Sequence, residues 1–151
     1  MINSAEEFVL LRTSEARNEY IRAAHEEAPD IVWMDIISRF PEMREWVAHN
    51  RTVPLNILEI LARDMNESVR ATVASKRKLS PELFDLLSQD MSESVRERVA
   101  CNKKVPAHIL KRLANDPVRF VREAALKRME NSKGFFKRSI WNRSWLISRY
   151  R

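Results

Sequence analysis

The chain has 151 residues, 44% of them apolar and 32% charged, with one glycine and six prolines; this composition excludes global disorder and low complexity and leaves room for one domain with a buried core. The formal net charge of +6 belongs to the tail, because 131–151 hold six cations and no acid while 1–130 balance 21 cations against 21 acids. The basic balance therefore carries no argument for nucleic-acid binding by the body.

The first residues are acidic where a secretory signal is basic, and the apolar run from Phe8 to Leu11 is too short to span a bilayer. The cytoplasm is the expected compartment. Cys101, the one cysteine, has no intramolecular partner and fits the same reducing surroundings.

Ser4 followed by Glu7 reads as a capping box that opens a first helix. Thr13 or Ser14 is placed to cap a second, running through Tyr20, Ile21 and Ala24 until Pro29 stops it. Residues 1–28 thus read as an N-terminal helical cap.

From 29 to 130 the chain repeats itself at an offset of 26 residues. Val53, Leu79 and Val105 align, as do Ile57, Leu83 and Ile109, then Leu61, Leu87 and Leu113, then Val69, Val95 and Val121. A degenerate first copy precedes them: Val32, Trp33, Ile36 and Ile37 make one apolar face, and Met43-Arg44 stand one period before Val69-Arg70. About four repeats result, and a fixed period of this length signals stacked helical units.

Each unit holds two short helical patterns. Pro54, Pro81 and Pro106 lie at the start of the first, where a missing N–H costs nothing. Asn66 or Ser92 caps the second, and Pro117 takes that place in the last copy. Helices of about ten residues fall below the roughly 12–15 at which an isolated helix is even marginal in water, so they require neighbours.

An Asp, a Val-Arg pair ending six residues later and then Val-Ala, preceded by Pro and paired Ile/Leu, resembles HEAT-like repeats over about residues 29–128, especially the short leucine-rich-repeat-variant type. The resemblance implies an all-α fold, a right-handed α-solenoid of short helical repeats. It also implies a hydrogen-bonded ladder between neighbours, formed by Asp64, Asp90 and Asp116 with Arg70, Arg96 and Arg122. That ladder is scaffold. The 26-residue period is shorter than the ~40–47 usual for HEAT repeats, and the cysteine cluster of some leucine-rich-repeat variants is missing, so no iron–sulfur site or other cofactor is expected.

Little here suggests catalysis. The aspartates recur near helix starts, where free N–H groups favour a carboxylate. His25, His49 and His108 lack metal-ligand spacing, and a chain whose single glycine is Gly134 has no phosphate-cradling loop or nucleophile elbow. The expectation is a protein that is not an enzyme and holds no metal.

Binding is better signalled. Arg51, Lys76, Arg77, Lys78, Lys103, Lys104, Lys127 and Arg128 fall at matching places in consecutive repeats, and stacking would align them as a basic ridge. Glu59, Glu67, Asp85 and Glu93 recur elsewhere as its acidic counterpart. The ridge is either a row of ordinary solvated loops or a docking strip for an acidic protein or for phosphates. The solvent side of the second helices would carry Trp46, His49, Thr72, Ser75, Arg98, Cys101, Ala124 and Lys127, a mostly small or polar set that suits a groove more than a tight pocket. Trp46 is either an aromatic anchor there or packed against Trp33.

The tail, 131–151, interleaves Phe135, Phe136, Trp141, Trp145 and Tyr150 with its six cations. It reads as an end cap for the array, a segment for anionic lipid or nucleic acid, or a non-native extension. The function expected is protein–protein interaction, as an adaptor or as an immunity- or inhibitor-type binder of bacterial kind. The alternative is a nucleic-acid-binding HEAT-like protein that uses the ridge and tail. Some similar HEAT-like proteins cradle DNA, among them an alkylpurine DNA glycosylase family, but no catalytic constellation maps here beyond Trp46. A third reading makes the tail a membrane-surface anchor.

Overall fold

A computed structural model describes residues 1–132, and the expectations for the basic aromatic tail lie outside the described residues. The described part is all-helical, with no strand. Its elements are α1 (Ala5–Thr13), α2 (Arg17–His25), α3 (Asp30–Arg39), a short 3-10 turn (Pro41–Met43), α4 (Arg44–His49), α5 (Leu55–Leu61), α6 (Glu67–Ala74), α7 (Pro81–Leu87), α8 (Glu93–Cys101) and α9 (Ala107–Leu113). A further helix, α10, runs over 119–132. Among the described residues no helix is long and apolar enough to cross a membrane.

The helix starts follow local chemistry. Ser4 Oγ accepts from the Glu7 N–H at 3.1 Å, while the Glu7 carboxylate reaches back to the Asn3 N–H at 2.8 Å, one residue further than a capping box requires. Neither Thr13 nor Ser14 caps α2. Thr13 closes α1, and Ser14 Oγ accepts from Ala16 N–H, so the turn itself is held and α2 begins uncapped after Ala16. Pro81 is the first residue of α7, whereas Pro54 and Pro106 stand just before α5 and α9. Asn66 caps α6 through a bond from Ser68 N–H at 2.9 Å; Ser92 occupies the same place before α8 without such a bond.

The repeat is a repeat of burial. Ile57, Leu83 and Ile109 are buried on the first helices of their units, with Leu61, Leu87 and Leu113 one turn on. Val69, Val95 and Val121 do the same on the second helices. Each such side chain contributes about 1.5–3 kcal/mol by leaving water, which is what holds helices of seven to nine residues together. Second helices pack in order, α4 on α6 and α6 on α8. Ala48, Ala74 and Ala100, one period apart and fully buried, keep the side chains there small enough for close approach. At the N-terminal end Phe8 meets Trp33 edge to face, with ring centroids 5.6 Å apart, tying α1 to α3.

Candidate functional site

The recurring aspartates and arginines meet across units. Arg70 grips Asp90 at two points, Nε to Oδ2 at 2.7 Å and Nη2 to Oδ1 at 2.9 Å. Arg96 grips Asp116 in the same way at 2.8 and 3.2 Å, and Arg44 reaches Asp64 at 3.3 Å. Each arginine bonds the aspartate twenty residues ahead, in the next unit. The Nη1 groups of Arg70, Arg96 and Arg122 also donate to two backbone carbonyls of their own unit, for Arg70 those of Asp64 and Met65.

Asp64, Asp90 and Asp116 accept, besides, the N–H two residues on, that of Asn66, Ser92 and Val118. Burial alone would raise the pKa of Asp90 and Asp116, but the Arg70 and Arg96 guanidiniums and these N–H groups outweigh it and hold both carboxyls below their ordinary value. The paired aspartates raise Arg70 and Arg96 in turn. Such carboxylates are engaged on both oxygens and stay charged, which suits structure and not proton transfer.

A second polar ladder was not foreseen. Asn50, Lys76, Asn102 and Arg128 stand one period apart, and each reaches back over an earlier turn. The Asn50 amide donates to the carbonyls of Ala23 and Glu26, both at 2.9 Å, and that of Asn102 to Ala74 and Lys76 at 2.7 and 2.8 Å. Lys76 donates to Asn50 O, and Arg128 Nη2 to Lys103 O at 2.8 Å. The signal lay in two asparagines spaced by two periods, hidden because their partners in the series are cations. Burial, with Arg51 nearby, pushes the Lys76 ammonium down to about 8.

The basic ridge is accordingly thinner than the sequence suggests. Lys76 and Arg128 are half-buried and turned to carbonyls. Arg51, Arg77 and Lys103, one period apart, are exposed in the turns after α4, α6 and α8, with Lys78 and Lys104 beside them. Among the described residues none of these five makes an ion pair. Arg98 and Lys127 are exposed too, but on the second helices themselves. On the acidic side Glu59, Glu67 and Glu93 are exposed, whereas Asp85 is half-buried and pairs with Arg112 at 2.9 Å.

Trp46 is half-buried against the core, and among the described residues its ring pairs with His49 while that of Trp33 pairs with Phe8. The Trp46 ring lies under the Arg12 guanidinium, 3.2 Å from ring centroid to carbon, and stands 5.4 Å from the His49 ring at a tilt of 32°. Arg12 also lies over Tyr20, at 4.2 Å. These four side chains, with His25 and Arg51, line a pocket of about 280 Å³ between α1, α2 and α4. Ala23 and Ala24 supply its small-residue wall. Among the described residues no carboxylate lines it. The second-helix surface therefore holds a pocket at its N-terminal end, where only a groove was expected. Arg12 and Tyr20 were missed because nothing in their local sequence points at Trp46.

Compared with protein-family models, curated proteins and solved structures, the chain matches none.

Proposed function

We propose that the chain is a right-handed α-solenoid of HEAT-like repeats, acting as a non-catalytic protein–protein interaction module for an acidic partner in the cytoplasm. The observation that carries this reading is the row of exposed cations Arg51, Arg77, Lys78, Lys103 and Lys104, free of ion pairs among the described residues and set at the period of the fold. Unpaired charges at regular spacing steer and orient an oppositely charged surface. An adaptor and an immunity- or inhibitor-type binder both use such a face.

The test is charge reversal at the row alone, Arg77→Glu with Lys103→Glu and Lys104→Glu. Capture from the native cell, followed by titration of the purified partner, should show an acidic protein whose affinity falls with added salt and is lost in the reversed variant. Unchanged capture by the variant removes the reading. If the captured species is instead a nucleic acid, the log–log salt dependence reveals it, with a slope of about −0.9 for each phosphate neutralised.

A further inference from the structure

The pocket between α1, α2 and α4 has a feature that the docking row does not share. Among the described residues Arg12 has no polar partner: two aromatic rings cover its guanidinium, and its Nε is buried without a hydrogen-bond acceptor. Stacking on rings favours a guanidinium in energy and fixes its plane, but it satisfies none of the N–H groups. The Nε stays buried, so the donors that Arg12 offers to a ligand are its Nη N–H groups.

The surroundings select the acceptor. Arg51, His25 and His49 line the same pocket; among the described residues no carboxylate lines it, and that of Glu45 lies 3.8 Å from His49 Nε2. His25 Nδ1 lies 3.0 Å from the Ile21 carbonyl, so in the neutral ring Nδ1 donates and Nε2 is an acceptor, able to meet an O–H of a ligand but not a bare anionic oxygen. With rings over the guanidinium, an oxyanion approaches in plane, at the N–H edge, where two parallel bonds form. A pocket of about 280 Å³ holds more than a bare carboxylate, and its two arginines match up to two negative charges.

We infer that the Arg12–Trp46 pocket binds a phosphomonoester, with Arg12 as the stacked, in-plane clamp and Arg51 as the second cation on the phosphoryl oxygens. This site goes beyond the docking reading and shares only Arg51 with its row; that reading is tested at Arg77, Lys103 and Lys104, so the two can fail separately. The phosphoryl group comes either on a small metabolite or on a phosphorylated side chain.

The experiment is a titration of the full chain with inorganic phosphate, following the Arg12 Nε–H and the Trp46 indole N–H by NMR at constant ionic strength, with the Trp33 indole as reference. The expected result is saturable movement at Arg12 and Trp46 and none at Trp33. Arg12→Lys keeps the charge but removes the planar fork, and should weaken binding at least tenfold while the spectrum stays that of a folded chain. Should Arg12→Lys lose the fold, Arg51→Gln gives the same comparison from the other side of the pocket. Glycerol phosphate and a phosphoserine peptide, run side by side, tell the two sources apart by which binds tighter. Movement that does not saturate, or that sodium chloride reproduces, overturns the inference, as does an Arg12→Lys titration identical to that of the unsubstituted chain.

Discussion

Arg70 and Asp90 face each other across a unit boundary with both hydrogen bonds made, at 2.7 and 2.9 Å, and with each side chain only about a tenth exposed, 11% and 9%. A bidentate pair this far from water binds one repeat to the next at a fixed height, since a displaced register breaks both bonds and buries two charges unpaired. It also explains why an arginine belongs there: lysine offers no fork to match a carboxylate.

Removing one partner should therefore cost more than the pair is worth. Asp90→Ala leaves the Arg70 guanidinium buried opposite nothing, and the expected loss is about 3–5 kcal/mol in urea denaturation. Replacing both residues by leucine should recover part of that loss. A double variant as unstable as the two single losses added together would show that the pair acts as two independent groups.

Acid should act through the same carboxylates. Asp90 and Asp116 have folded pKa values held below the ordinary one, so the stability that they contribute is fully present above about pH 4, near the unfolded value, and is lost as pH falls through the folded values. The Asp116→Asn variant, weaker at neutral pH, should lose less stability than the unsubstituted chain between neutral and strongly acidic solution. Chemical denaturation at a series of pH values measures it, and parallel curves would contradict the linkage.

Lys76 predicts a rise at the other end of the scale. With the ammonium pushed down to about 8 by burial and Arg51, the folded chain releases this proton near that pH, while the unfolded chain holds it until about 10.4. The unfolded state binds more protons in between, so stability increases with pH over that window. Lys76→Met should abolish this increment, seen as the change in urea midpoint between mildly and strongly alkaline buffer. A variant that keeps the whole rise would assign it elsewhere.

Asn102 should be hard to replace. Its buried amide joins the carbonyls of Ala74 and Lys76, so Asn102→Ala leaves two acceptors without a donor and should cost about 1–3 kcal/mol. Asn102→Asp keeps the shape but adds a charge facing those carbonyls, and is expected to be worse. Thermal unfolding of the two variants ranks them; equal transitions would mean that the turn relaxes without the amide.

How much of this was legible in the sequence depends on the range of the interaction. Proline and asparagine at helix starts act on their own turn, so the beginnings of α5, α6, α7 and α9 could be read to within a residue. The core positions, Ile57 with Leu83 and Ile109 or Val69 with Val95 and Val121, follow from period and apolarity alone, because leaving water needs no particular partner. The capping of α2 was misread for the same local reason: Thr13 and Ser14 both suit a cap, and only the length of α1 decides that Thr13 belongs to it.

The tertiary structure decided everything that hangs on a named partner. Lys76 and Arg77 are neighbours of one charge, yet one bonds a carbonyl of the preceding unit and the other faces water. Arg12 and Trp46 meet from positions 34 residues apart, outside any period. The physical reason is that apolar burial is undirected and so can be read from pattern, whereas a hydrogen bond or a stacked cation has one direction and one counterpart, which exists only once the helices have packed.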